Sequence, residues 1–460
     1  MHPFPTDRPL RPLVALLATL LLCFGPAAAA EPEVSPRPLG RELPAYTAPA
    51  DPSSAVLESP EPGGDLTLRD ALTAALRGNP ELASLSFEVR SREARALQSS
   101  VRPNPQLGVE VEDFGGSGAV RGFDASQTTI SLAQLVELGG KRAGRKRVAQ
   151  AETSLASWDY EARRVAVLAD TTKAFLLVLA LQERLDLVRE LESLGSESVR
   201  SVASTVRSGA VSPIEEDRAR VALERVQLDA VRAAKDLESA RVLLAASWGA
   251  TSASYSRALG DLDRAPDPPP LDRLLAATTE SPEIARWNAE VEEREARLAV
   301  ARTQRIPDVF ASVGGRYYSE GEDLGLVAQL SIPIPLFDRN RGNILDARHR
   351  IARAAAERRT AEVSVRSQLE SALRSLEAAY AEVLALRDRI IPRATRVYDE
   401  TRRGYATGLF RYVEVLDAQR TLFEAREDLL TTLATYHAVA TDIERLTATP
   451  LQHLDDTERQ

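Results

Sequence analysis

One echo at a fixed offset constrains this chain more than any other feature. RSGAVSPIEEDRARVALER, from Arg207, returns as ATGLFRYVEVLDAQRTLFE, from Ala406; aligning Gly209 with Gly408 places Ala219 on Ala418 and Asp229 on Asp428, an offset of 199. Upstream, NPELA from Asn79 meets SPEIA from Ser281, REAR at Arg92–Arg95 meets REAR at Arg294–Arg297, and Pro105 meets Pro307, all at 202. LGGKRAGR from Leu138 meets LFDRNRGN from Leu336 at 198. Offsets that drift so little mark one duplicated unit. The first copy spans about 66–248 and the second about 271–446.

Each copy reads in the same order. A helix near 66–101, or 271–305, precedes two short alternating segments, a hairpin at about 106–135 in the first copy and 308–332 in the second. Leu107, Val109 and Val111 alternate with Gly108, Glu110 and Glu112; Ile130 and Leu132 alternate with Thr129, Ser131 and Ala133; PDVFASVGGRYYS and LGLVAQLSI follow suit. This period of two on either side of a Gly-rich loop is the hairpin pattern. Very long helices come next, since no proline falls between Pro105 and Pro213. The stretch 141–208 would reach about 100 Å if fully helical. An interruption is expected near Gly195, close to where Pro392 is expected to break the helix of the second copy. Leu369, Leu376, Val383 and Ile390 share one heptad position, with Leu373 and Tyr380 at the other; Val415, Leu422, Leu429, Tyr436 and Ile443 again stand seven apart, with Ala418 and Ala425 three further on. Such spacing predicts antiparallel coiled-coil packing. The helices should reverse at tips near Gly209 and Gly408, where glycine tolerates a positive φ.

The remaining segments are 31–65, rich in proline, serine and acids and expected to be extended or disordered, a linker over 249–270 that ends in the stiff run DLDRAPDPPP, and a tail over 447–460. Residues 1–30 read as an export signal. Arg8 and Arg11 precede LVALLATLLLCFG and the small residues Ala27–Ala30, an apolar core short of the ~20 residues that a spanning helix needs. Cleavage is expected before Glu31, with no lipid on Cys23, because Leu22 precedes it.

Removal of that segment takes away the only Cys, so disulfides and thiolate metal sites are excluded, and it leaves His349, His437 and His453 far apart. No metal site and no cofactor are expected. Of 58 basic residues two are lost, and of 67 acidic residues one, so the mature charge is 56 − 66 = −10. That balance argues against a nucleic-acid partner. No Ser/His/Asp or Cys/His arrangement is present, and GGSG at Gly115–Gly118 sits in a hairpin loop rather than opening a helix, so an enzyme is not expected. The best internal apolar run, VAVLADTTKAFLLVLAL from Val165, is broken by Asp170 and Lys173.

Four strands per chain cannot span a bilayer as an open sheet, because edge N–H and C=O groups need partners in lipid. Strands of about 9–11 residues nevertheless suit a tilted crossing. Several chains could pool strands into a closed barrel: eight from a dimer would leave a filled interior, twelve from a trimer a channel. A small soluble sheet capping a helical rod would show the same alternation.

RPNPQLGVEVEDFGG from Arg102, QLVELGGKRAGRKRVAQAE from Gln134, IPIPLFDRNRGN from Ile332 and YATGLFRYVEVLDAQRTLFEA from Tyr405 resemble the TolC-like outer-membrane efflux family, and ELGGKR and VEVEDFGG are most similar to its cobalt–zinc–cadmium branch. The resemblance covers about 66–446. It implies a mainly α chain with a membrane β-barrel: a homotrimer with a twelve-stranded barrel in the outer membrane of a Gram-negative bacterium and a periplasmic α-helical tunnel. It also implies the role of exit duct in a tripartite pump, with a periplasmic adaptor (membrane fusion) protein and an inner-membrane RND transporter as partners. Divalent heavy-metal cations are the cargo of that branch; drug or small-solute efflux, protein export and a secreted scaffold without a pore are the alternatives.

The same resemblance assigns candidate sites. Arg207, Gly209, Ser212, Arg403, Gly408 and Arg411 are the adaptor-docking candidates at the tips. Glu414 and Asp417 lie three apart on one helix face, at the offsets six and nine past the glycine where the family's channels are constricted, so a threefold axis would stack two carboxylate rings. Acids are also favoured at a helix start for local reasons; Glu215, Glu216 and Asp217 stand nearby in the first copy. Arg396, Arg402 and Arg403 are available to tie adjacent hairpins by ion pairs.

Overall fold

Each copy opens with a split helix. The computed structural model describes residues 39–40, 42–54, 61–209, 211–279 and 281–451. In the first copy β1 (Gly64–Thr67) leads into α1 (Leu68–Gly78) and α2 (Pro80–Ser100). The single helices expected over 66–101 and 271–305 are each two, because proline holds the residue before it out of the helical region. Asn79 is extended there, and its Oδ1 accepts from the amides of Glu81 and Leu82 at 3.0 and 3.1 Å, capping α2. Ser281 is likewise extended before its proline in the second copy, between α5 (Leu271–Thr278) and α6 (Pro282–Thr303), but its side chain makes no capping hydrogen bond.

Two hairpins follow, β2 (Gln106–Glu112) with β3 (Gln127–Val136) and β5 (Val309–Tyr318) with β6 (Asp323–Ser331). They join into one antiparallel sheet in the order β2-β3-β5-β6, in which β2 and β6 have no further strand partner among the described residues. β4 (Tyr255–Leu259) lies within the expected linker and pairs in parallel with β1, Leu66 beside Ala258. The segment 249–270 is therefore a structural element as well as a connection.

The long helices are α3 (Lys141–Arg207), α4 (Pro213–Ala246), α7 (Arg341–Ala385), α8 (Ile391–Ala406) and α9 (Tyr412–Thr447). Contrary to the expectation at Gly195, α3 runs unbroken for 67 residues, about 100 Å. A Cβ at Gly195 would lie 3.2 Å from Leu223 Cδ1, so the glycine lets α4 approach closely rather than ending α3. Nor does Pro392 break its helix. Leu386–Ile390 forms a π-helical turn between α7 and α8, which absorbs the missing N–H and the clash that proline imposes one turn back. The extra residue shifts the heptad: Leu369, Leu376 and Val383 are buried, but Ile390 rotates out to 44% exposure and Leu386 is buried at 5%.

Packing assigns the apolar residues to four clusters, the last of which joins Leu43, Leu76 and Leu82 to Tyr160, Val167 and Leu168 of α3. Phe175, Val178 and Leu179 pack with Leu66, Leu244, Trp248 and Tyr255, so the apolar run from Val165 is core. α3 does contain a window long and apolar enough to cross a bilayer, half of it buried in this way. Leu369, Leu373, Leu376, Tyr436 and Ile443 form the second cluster. In the third, Ala219 and Ala418, the duplicated alanines of the echoed motif, are buried together with Val202, Tyr412 and Leu422.

Residues 42–54 are anchored rather than disordered. Leu43 and Ala48 are buried, the Tyr46 amide donates to Leu76 O at 3.0 Å, and the Ala48 amide donates to Ser86 Oγ at 2.7 Å while its carbonyl accepts from Arg90 Nε at 2.9 Å. The export signal expected over 1–30 and most of the tail expected over 447–460 lie outside the described residues.

Candidate functional site

The sheet register sorts the strands into two chemically different faces. Leu107 is paired with Leu132 and Val109 with Ile130; Leu132 with Val313 and Thr128 with Tyr317; Ala311 with Leu330, Gly315 with Leu326 and Tyr317 with Leu324. Paired residues share a face, so one face carries an apolar surface across all four strands. Its large side chains are exposed, up to 83% at Leu326. The opposite face carries Glu110, Glu112, Gln127, Thr129, Ser131, Arg316 and Gln329. Arg316 is fixed there on three sides, by Glu112 at 2.9 Å, Thr129 Oγ1 at 2.8 Å and Gln127 Oε1 at 3.0 Å. An apolar exterior and a polar interior are what a barrel wall requires.

Where strands hand over to helices, two ion pairs brace the junction. Lys141 Nζ lies 2.8 Å from Asp308 Oδ1, which also accepts from the Leu138 amide at 3.0 Å. Arg145 grips Glu137 with both terminal nitrogens, one at 2.9 Å. The Arg145 hydrogen bond holds the Glu137 carboxyl below the usual range. At Asp308 burial pushes upward, but Lys141 and the Leu138 amide outweigh it and leave the pKa lowered. In the sequence, ELGGKRAGR carries the signal for these pairs, charges placed on both sides of a strand end, which periodicity does not single out.

The two tips repeat one geometry. Gly209 follows α3 and Gly408 follows α8, each with φ +77° and nothing within 4 Å of a would-be Cβ. Backbone conformation, not space, demands glycine at both. Arg207, Gly209, Ser212, Arg403, Gly408 and Arg411 are all exposed. Arg403 Nε donates to the carbonyl of Asp399 on its own helix at 3.2 Å; Arg396 and Arg402 are exposed and make no ion pair among the described residues. The tips belong to one assembly of helices: α4 packs on α3, α3 on α9, and α9 on α8.

Glu414 and Asp417 do share a face, exposed beside Val413 and across a cleft from Ile390, Arg393 and Val397. Each also has a local task. Glu414 Oε2 accepts from the Arg411 amide at 2.7 Å, closing the α9 N-terminus, and Asp417 pairs with Arg420 at 2.8 Å. Glu215 and Glu216 are similarly engaged by Arg218 and Arg220. Among the described residues no group of three or more His, Cys, Asp or Glu could hold a metal ion.

Comparison with known proteins bears on the family and the fold. Residues 71–250 and 275–449 match the family described as outer membrane efflux protein, one stretch in each copy. The chain is 33% identical over 389 residues to the cobalt-zinc-cadmium resistance protein CzcC of Cupriavidus metallidurans, covering 84% of this chain and 91% of that protein. It is 28% identical to the nickel-cobalt-cadmium resistance protein NccC of Alcaligenes xylosoxydans xylosoxydans, over 67% of this chain and 69% of that one. Among solved structures, CusC superposes with a TM-score of 0.70 at 18% identity, covering 88% of this chain and 99% of that chain. The outer membrane protein VceC of Vibrio cholerae superposes at 0.68 with 16% identity, over 84% and 96%.

Proposed function

The chain belongs to the outer membrane efflux protein family, and from that premise we propose that it is the outer-membrane exit duct of a tripartite efflux pump. Three copies pool their four-stranded sheets into a twelve-stranded barrel whose polar face lines the passage. A periplasmic adaptor docks at the tips that carry Arg207, Gly209, Ser212, Arg403, Gly408 and Arg411, and an inner-membrane RND transporter supplies the cargo. Divalent heavy-metal cations are that cargo, in line with relatives named for cobalt, zinc, cadmium and nickel resistance.

The observation that carries this reading is the two-faced sheet with both edges open. Such a sheet is stable in lipid only if closed by other copies. Its edges are unlike strands, so β6 of one copy meets β2 of the next, a heterologous contact that forms a ring. The helices offer a second pair of unlike edges. Ile214, Val221, Leu228 and Val242 stand exposed along α4, and Val397 stands exposed along α8. Between the hairpins, Arg396 and Arg402 are placed to pair with carboxylates of a neighbouring copy in the resting tunnel.

Around the threefold axis Glu414 and Asp417 form the narrowest acidic rings. Their repulsion and their pull on cations make the duct cation-selective. Single-channel recording in a planar bilayer tests this on mature protein and on the Glu414→Gln/Asp417→Asn variant. Small cation-selective steps that grow or lose selectivity in the variant are expected. A protein that stays in solution and never conducts would overturn the barrel reading, and steps unchanged by the variant would remove the constriction from these two residues.

A further inference from the structure

The alternation that defines the apolar face of β6 continues where the strand stops. Leu324, Leu326 and Leu330 lie on that face, and Ile332, Ile334 and Leu336 keep the same period of two beyond Ser331. All three are exposed, and Phe337 after them is 97% exposed.

The backbone of this segment suits a medium poor in water. Pro333 and Pro335 carry no N–H, and the Leu336 amide donates to Ile334 O at 2.9 Å. Half of the donors that an ordinary chain would present here are absent or satisfied, which lowers the cost of leaving a sheet at apolar depth. The duplicated copy supplies the control. At the offset of 198, Leu135 and Glu137 stand where Pro333 and Pro335 stand. There the strand is still laddered, Leu135 with Phe310 and Val136 with Val309, and the following Leu138 amide donates to Asp308. Prolines occur at these positions only in the copy whose strand has no ladder partner left. Polarity then inverts abruptly after Phe337, through Asp338, Arg339, Asn340 and Arg341, with both arginines exposed.

We propose that residues 332–337 form an interfacial anchor in the phospholipid leaflet of the outer membrane that faces the helices. Ile334 and Leu336 enter the acyl region, Phe337 sits at headgroup depth, and Arg339 and Arg341 reach lipid phosphates. The anchor fixes how deeply the barrel sits. This inference rests on the reading of the sheet as part of an outer-membrane barrel. Lipid is the occupant because the segment extends the lipid-facing surface of β6 without a change of period, and because its cations follow the aromatic in the order in which a membrane interface presents phosphate. The competing cover is the end of α2 in an adjacent copy, where Leu97 and Val101 are exposed.

The test uses mature Phe337→Trp protein in phosphatidylcholine vesicles whose acyl chains are brominated near the headgroup. Its emission is compared with that of the parent, which has Trp158, Trp248 and Trp287. The anchor requires the added emission to be largely lost in brominated vesicles and largely retained against aqueous iodide. Quenching by iodide alone overturns it in favour of a segment in water, and insensitivity to both overturns it in favour of cover by a second copy. Conductance of the same vesicles separates the two readings. Protein that conducts without lipid quenching sinks the anchor alone, whereas protein that neither inserts nor conducts sinks the barrel reading with it. Leu336→Trp gives the same readout where the first variant assembles poorly.

Discussion

Arg297 Nη2 lies 2.5 Å from Glu152 Oε1, joining the second REAR segment to a helix of the first copy. The other oxygen of Glu152 accepts Arg92 of the first REAR segment at 3.5 Å. The duplicated motif thus converges on one carboxylate of α3 from both sides, and Arg297 is held in turn by the buried Glu293. Glu152→Ala removes one acceptor from two part-exposed guanidinium groups that each keep another carboxylate, Glu88 or Glu293, so stability should fall by about 1 kcal/mol. Thermal unfolding in detergent of E152A, R297A and the double variant checks this. Additive losses would mean that the contact contributes nothing as a pair.

The exposed stripe on α4 should matter only between copies. Leu228 is 58% exposed with Val221 and Ile214 in line, so Leu228→Glu removes little from the fold of one chain. It would place a charge in the contact proposed to close the ring. Unchanged helicity by circular dichroism, together with a lower trimer fraction by light scattering, is the expected pair of results. A variant that remains fully trimeric would show that this face is not an interface.

How much of this could be read in advance varies with the kind of interaction. The duplication, the heptads and the alternation were legible because each is a periodic requirement written in side chains. Gly195 misled because a helix-interior glycine costs only about 1 kcal/mol, which the packing of a 67-residue helix overrides. Pro392 misled because a π turn can absorb a proline without ending the helix. The β1–β4 pair and the anchoring of Tyr46 and Ala48 rest on backbone hydrogen bonds between distant segments, and any residue can supply those. At Glu414 and Asp417 the shared face was legible, but the capping bond to Arg411 was not separable from it, since the same acid serves both.

Gly209 and Gly408 isolate a purely conformational cost. Both hold φ +77° in open space, so Gly209→Ala or Gly408→Ala meets no clash and should cost about 1–2 kcal/mol through the left-handed backbone alone. Local fraying of the tips is the expected form of the loss. Limited trypsin digestion at Arg207 and Arg411 should therefore quicken in the variants, with the melting of the whole protein little changed. Unaltered digestion would mean that the turns tolerate a side chain freely.

The junction brace makes an acid-side prediction with a definite sign. Glu137 is lowered from its ordinary 4.5 by the hydrogen bond from Arg145. A carboxyl lowered in the folded state stabilises the protein above its unfolded pKa, and that contribution is lost as pH falls through the folded value. Glu444 runs the other way. Its burial raises its pKa against the opposing Leu451 amide, so what it contributes is present at low pH and is lost as pH rises through the raised value. The two trends overlap in the intact protein, and Glu137→Gln separates them by deleting only the first. Thermal midpoints taken from neutral pH down to about pH 3 should fall more steeply for the parent than for E137Q. Parallel curves for the two proteins would show that the Arg145–Glu137 contact does not hold the strand-to-helix junction.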